Sequence, residues 1–203
     1  MKLKQGIPIL LLALFAVSRV PGLLPHNFSA VYGFLFCAGI CFRGGWMAWV
    51  PLAVMLVTDV LLNWHYGAAW LRWEMLGNYA AYLGILGLSR LFSRKSSWLS
   101  LLGGGVLGAI LFYLITNTAS WLFDAAYAKN LAGWIQALTT GHPGLPPTWE
   151  FFRSTLLSGG LFTGLFAGAM KLGEAAEPQE QEAPEEEGEE EPEPAVEPEE
   201  AKV

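Results

Sequence analysis

Asn27, Asp59, Asn78, Asn117 and Arg153 are polar or charged side chains set at the ends of long apolar runs. The chemistry they offer is recognition rather than bond-making. Amides both donate and accept, a carboxylate and a guanidinium fix orientation, and Trp121, four residues beyond Asn117, adds a ring face for stacking. Bond-making has little to work with: the chain has no GxSxG, HExxH or GxxxxGK[ST] motif, and His26, His65 and His142 share no ligand spacing. Cys37 and Cys41 lie four apart without a His or acid beside them, which suits two small apolar helix residues. We therefore expect a non-enzymatic chain with no metal and no cofactor, and a ligand-binding set of Asn27, Asp59, Asn78, Asn117, Trp121 and Arg153.

The elements that must carry these residues follow from composition. Of 203 residues 53% are hydrophobic, and the mean hydropathy is +0.38 even though the last thirty are dominated by Glu, Pro and Ala. Residues 1–173 hold 11 of the 12 Lys and Arg and 4 of the 18 Asp and Glu, a formal +7, whereas residues 174–203 hold one Lys and 14 Glu, a formal −13. Two units follow: a transmembrane helical domain over 1–173 and a disordered Glu/Pro-rich tail over 174–203, too poor in apolar residues to offset its ordering entropy. Nucleic acid is excluded as a partner, because the basic residues flank apolar runs rather than forming a patch.

Continuous apolar runs without period-two alternation predict helices, not a barrel. Six runs suit a hydrocarbon core of about 30 Å: Ile7–Leu24, Phe28–Phe42, Trp46–Leu62, Met75–Phe92, Trp98–Asn117 and Phe152–Leu172. The fold class is thus all-α, a six-transmembrane-helix bundle. The N-terminus "MKLKQGIPILLLALFAVS" also has the form of a secretory signal, but its apolar character runs on to Leu24, which favours a retained span. Lys2, Lys4, Arg43, Arg90, Arg94, Lys95, Lys171 and Lys202 fall on one side of such a bundle and Arg19, Arg72, Lys129 and Arg153 on the other, predicting N-in and C-in. Between spans five and six, Leu122, Phe123, Ala126, Tyr127, Leu131, Trp134, Ile135 and Leu138 recur at three and four, predicting an interfacial helix; "GHPGLPP" then forms a rigid turn.

On this topology Asn27, Asp59, Asn63, Asn78, Asn117, Arg153 and Arg19 all lie toward the outer leaflet. Insertion scales charge about 2.5–3.5 kcal/mol for a mid-span ion, so Asp59 needs a partner, and Arg19 and Arg153 are at its level. The expected arrangement is a polar pocket open to the outside, roofed by Trp121, Tyr127 and Trp134. Gly160, Gly164 and Gly168 on one span and Gly104 and Gly108 on another form small-xxx-small faces, suited either to packing within the bundle or to docking on another membrane subunit.

The stretches "HNFSAVYGFLFCAGICF", the Thr58-Asp59 pair, "TNTASW" and "FFRSTLLSGGLFTGLFAG" resemble an uncharacterised family of bacterial multi-pass inner-membrane proteins over roughly residues 7–170. In that family the last stretch continues Leu-Gly-Asp where this chain has Ser158-Gly159, so an acid is missing at Gly159. More distantly, the expected architecture is similar to the S components of energy-coupling-factor (ECF) transporters. The first likeness implies the lipid bilayer of the bacterial inner membrane as location, and the second implies capture of a small polar solute on its outer side. The second also implies a transmembrane coupling protein and ATPase subunits as partners supplying energy. The alternative is a non-transporting envelope scaffold that recruits partners through its acidic cytoplasmic tail.

Overall fold

The computed structural model describes residues 12–25, 27–44, 49–70 and 75–175. These residues form helices joined by turns, with no strand among them. After α1 (residues 12–18) come α2 (Val31–Cys41), α3 (Val50–His65), α4 (Met75–Ser89), α5 (Trp98–Phe123), α6 (Leu131–Leu138) and α7 (Thr148–Ala175).

The helix ends have local causes. α2 starts late because Asn27 takes a positive φ of 57° and the Ser29 hydroxyl accepts from the Val31 N–H at 3.2 Å. α3 carries Pro51 in its first turn, where the missing N–H costs nothing, and stops at Gly67, whose φ is +65°. The Ser97 hydroxyl caps α5 by accepting from Ser100 N–H at 3.2 Å, and Asn130 caps α6 through Gly133 N–H at 2.9 Å. Arg43 donates to the carbonyl of Ser89, the last residue of α4, and to that of Phe92 in the turn beyond it, and so joins the end of α2 to the end of α4.

α2 is the centre of the bundle. Ten of its eleven residues, Val31 to Ile40, are buried, because α4, α5 and α7 pack around it and Phe15 of α1 stacks on Phe34 at 4.1 Å. A helix enclosed on all sides has no polar face to show, which is why its sequence is apolar throughout. The contacts that run along it set the directions: Gly33 meets Phe162 and Thr163 while Cys41 meets Met170, so α2 and α7 are parallel. Gly105 meets Thr163 and Gly159 meets Ala109, so α5 and α7 are antiparallel. A Cβ built on Gly33 would lie 2.6 Å from Thr163 N, and one on Gly159 would lie 2.6 Å from the Ala109 methyl, so glycine is what lets these helices close. Gly160, Gly164 and Gly168 face Val106, Leu102 and Trp98 of α5, and Trp98 Nε1 donates to Gly164 O at 3.2 Å. Gly104 and Gly108 accommodate Phe36 with Phe92, and Ile85 with Leu88. Both glycine stripes are therefore occupied by packing within the bundle.

Among the described residues two helices, α5 with 26 residues and α7 with 28, are long and apolar enough to cross a membrane. At about 1.5 Å per residue they reach about 39 and 42 Å. The other apolar runs yield shorter helices, and this corrects the expectation of six span-length helices. An apolar run counts residues that the backbone spends on turns. The first run is helical only over 12–18 and then turns through Pro21 and Gly22, whose φ is +77°, while its residues 7–11 lie outside the described set. The second run is left with the 11 residues of α2.

The expected interfacial helix is corrected too. α5 absorbs Trp121, Leu122 and Phe123, and only Leu131–Leu138 forms a separate helix. Between them the Asp124 carboxylate accepts from Ala126 N–H at 2.8 Å, and Lys129 Nζ donates to the Trp121 and Asp124 carbonyls, closing α5 and breaking the apolar period. Gly141 and Gly144, at φ 70° and 86°, then carry the turn into α7. The acidic tail from residue 176 on lies outside the described residues, and α7 itself runs through Glu174, which pairs with Lys171 at 2.9 Å.

Candidate functional site

α2, α4 and α7 begin at the same end of the bundle, and α5 passes them in the opposite direction. Between them lies a cavity of about 410 Å³. Helical spacing explains what each element contributes. From α4 come Asn78 and Tyr82, one turn apart; from α5 Phe112 with Thr116 and Tyr113 with Asn117, again four apart; from α7 Thr148, Phe151 and Thr155, at intervals of three and four. The segment leading into α2 adds Asn27, Phe28 and Ser29, followed by Val31 and Tyr32 on the helix itself. The positive φ of Asn27 turns the chain here, a conformation that asparagine tolerates better than most residues. Arg19, just past α1, completes the lining.

Much of the donor capacity on the walls is spent on the helices themselves. Thr116 and Thr155 hydroxyls donate to Phe112 O and Phe151 O, each at 2.9 Å, and Asn117 Nδ2 donates to Tyr113 O at 2.8 Å. That leaves the Asn117 carbonyl oxygen, and the side chains of Asn27 and Asn78 make no hydrogen bond to any described residue. Tyr113 donates its hydroxyl to Leu138 O, which ties α6 against the cavity wall from behind. The aromatic side of the cavity is one packed group: Phe112 tilts against Tyr32 at 4.9 Å and stacks on Tyr82 at 5.8 Å.

Arg19 is the one formally charged residue of the lining among the described residues, and it is held from outside the cavity. Its guanidinium forms an ion pair with Asp59 of α3, whose second oxygen accepts from the Tyr79 hydroxyl at 3.1 Å. Side chains of both partners are largely buried, at 17% and 14% exposure, so the pair answers the cost of placing either charge in this apolar bundle. Arg19 Nε is buried and has no partner among the described residues.

Of the residues expected to bind a ligand, Asn27, Asn78 and Asn117 line the cavity. Asp59 stands one layer behind, acting on the cavity only through Arg19. Trp121 is elsewhere: its Nε1 donates to Ala128 O at 2.9 Å and braces the 124–130 turn. Arg153 is exposed and outside the lining, because α7 turns Phe151 and Thr155 inward and leaves position 153 on the far side. The expected roof of Trp121, Tyr127 and Trp134 does not line the cavity either, and Trp134 Nε1 donates to Thr118 Oγ1 at 3.0 Å. Tyr32, Tyr82, Phe112 and Thr148 were not anticipated. Tyr82 could have been found one turn after Asn78, and Phe112 one turn before Thr116.

Residues 2–181 match a family of unknown function (DUF6580), and the chain belongs to that family. No curated protein and no solved structure matches it, so the likeness to ECF S components has no relative or fold match behind it.

Proposed function

We propose that this DUF6580 member is an integral membrane protein that binds a small polar solute in the cavity at the start of α2, α4 and α7, as the substrate-binding subunit of an uptake system. The observation that carries the reading is the cavity itself. Its volume falls within the roughly 300–1,000 Å³ of small-molecule sites, and three amides and a guanidinium open into it inside an otherwise apolar bundle.

The outside of the bundle supports a lipid setting. Only 33% of the apolar window of α5 and 39% of that of α7 is buried within the protein. Leu157, Leu161 and Leu165, at i, i+4 and i+8 on α7, are 58%, 50% and 56% exposed, an apolar stripe that water would penalise and lipid accepts. The alternating direction of α3, α4, α5 and α7 fits a multi-pass chain in which the shorter helices belong to the same membrane domain. With N-in and C-in orientation in a bacterial inner membrane, the cavity opens outward. The chain carries no nucleotide-binding loop, so energy for uptake would come from partners, a transmembrane coupling protein and ATPase subunits. The second reading, an envelope scaffold, is favoured by the formal −13 of residues 174–203 against the +7 of the remainder.

One experiment separates them. Full-length protein in lipid nanodiscs is analysed by native mass spectrometry after purification from cells. A co-purifying small molecule that is lost in Asn78→Ala and Asn117→Ala supports solute binding. Retention of that molecule in both variants, or proteins captured through the tail with no small molecule bound, overturns it.

A further inference from the structure

We infer that the cavity selects small organic monoanions, with Arg19 taking the anionic group and the Tyr32, Tyr82 and Phe112 wall taking a flat apolar body. This rests on the solute-binding reading above and narrows it to a class of ligand.

The charge inventory points this way. Among the described residues the lining has one cation and no carboxylate. Asp59, the nearest acid, is engaged on both oxygens, by Arg19 and by Tyr79, and does not reach the lining. A ligand therefore meets the guanidinium before it meets the carboxylate that anchors it. A guanidinium has five donors in a planar fork suited to a carboxylate, and Nε of Arg19 is buried without a partner among the described residues. A bound acceptor would give that N–H what the protein leaves out.

The backbone adds to the same sign. Val31 and Thr148, the first residues of α2 and α7, both line the cavity, so the positive ends of two helix dipoles face it. The negative end of α5 lies farther off, because that helix runs on to Phe123, well past Asn117. Glu150, the acid in the first turn of α7, is exposed and outside the lining. One guanidinium already shared with Asp59 suits a single negative charge, not a dianion. The spare amides of Asn27 and Asn78 would then bind ring or side-chain heteroatoms, and the body would lie against the packed Tyr32, Tyr82 and Phe112 wall.

The test uses full-length protein in nanodiscs and three probes on one ring: benzoate, benzamide and benzylammonium, each titrated calorimetrically. Benzoate is expected to bind roughly tenfold or more tightly than either of the others. The double variant Arg19→Gln/Asp59→Asn removes both charges without leaving one unpaired, and is expected to keep its thermal unfolding while losing that preference. Asn117→Ala reports on the cavity independently of charge. Benzamide or benzylammonium binding as well as benzoate, and more weakly in Asn117→Ala, would overturn the monoanion inference and leave the solute cavity standing. No binding of any probe would overturn the monoanion inference, and absence of any co-purifying small molecule by native mass spectrometry as well would remove the solute-binding reading with it. Benzoate preference that survives in the double variant would overturn the assignment to Arg19.

Discussion

Arg19 and Asp59, forty residues apart in the chain, form an ion pair that links the end of α1 to the middle of α3 at the rim of the polar cavity. Tyr79 of α4 completes it from the other side at 3.1 Å, so three elements are joined through one carboxylate. The arrangement gives a guanidinium a fixed position beside the cavity without leaving its charge uncompensated.

Removing one partner should cost more than removing both. Asp59→Ala leaves a largely buried guanidinium unpaired and is expected to destabilise the fold by about 3–5 kcal/mol. The double variant Arg19→Gln/Asp59→Asn should recover most of that loss, and Tyr79→Phe should cost about 1.5 kcal/mol, the lower end for a hydrogen bond to a charged group. Thermal unfolding of the four proteins in the same detergent measures the differences. Equal destabilisation by the single and the double variants would contradict the pairing.

Glycine substitutions should divide by what lies opposite. Gly33→Ala and Gly105→Ala push a methyl into the α7 backbone and into Thr163 respectively, and are expected to cost about 1–3 kcal/mol or to prevent folding. Gly103→Ala meets nothing within 4 Å and should be neutral or stabilising by up to about 1 kcal/mol through helix propensity. Gly160→Ala, at 3.8 Å from Val106, belongs with the tolerated group. Yield of monodisperse protein and unfolding temperature report the contrast.

Side chains at the cavity should separate from those beside it. Asn117→Ala is expected to abolish retention of a bound solute with a stability loss of about 1 kcal/mol, since only one backbone contact goes with it. Arg153→Ala, on an exposed position, should change stability by less than about 0.5 kcal/mol and leave retention unaltered. Trp121→Phe should loosen the 124–130 turn, seen as faster local hydrogen exchange, and also spare retention. Loss of solute in Arg153→Ala would mean that α7 is rotated from the orientation described.

The outward stripe of α7 should respond as lipid-facing surface. Leu161→Lys is expected to lower insertion by about 2.5–3.5 kcal/mol on a biological scale, whereas Leu161→Ala should have a small effect. An insertion reporter on the isolated segment measures this directly. A topology reporter fused after residue 203 should be active only in its cytoplasmic form, and the opposite result would overturn the proposal that the cavity faces outward.

Much of the secondary structure was legible in the run lengths. Met75, Trp98 and the "GHPGLPP" turn mark where α4, α5 and the approach to α7 fall, because continuous apolar stretches and turn residues act locally on the backbone. The shared level of Asn27, Asn78 and Asn117, which line the cavity, was also legible in the chain, since antiparallel apolar runs bring their polar ends together. What could not be read was which way each helix faces. α2 is apolar around its whole circumference, and the polar cluster of α5 is the consecutive Thr116, Asn117 and Thr118, which point to different sides, so no period distinguishes the face toward Tyr32 or Phe112 from any other. The turn that stops α5 at Asp124 was hidden for a related reason: apolar residues recur at helical spacing across it, and the break shows only in Asp124 accepting from Ala126 N–H and Lys129 reaching two carbonyls.

The sequence by itself determined an all-helical, apolar chain with its amides gathered toward one end and its negative charge in the tail. Tertiary structure alone decided that Arg19 rather than Arg153 answers Asp59, that Trp121 braces a turn, and that Tyr32, Tyr82 and Phe112 share a wall. The physical reason is that helix formation depends on hydrogen bonds four residues apart. Rotation about a helix axis is set instead by close contacts, such as Gly33 on Thr163 and Gly159 on Ala109, between residues more than forty positions apart.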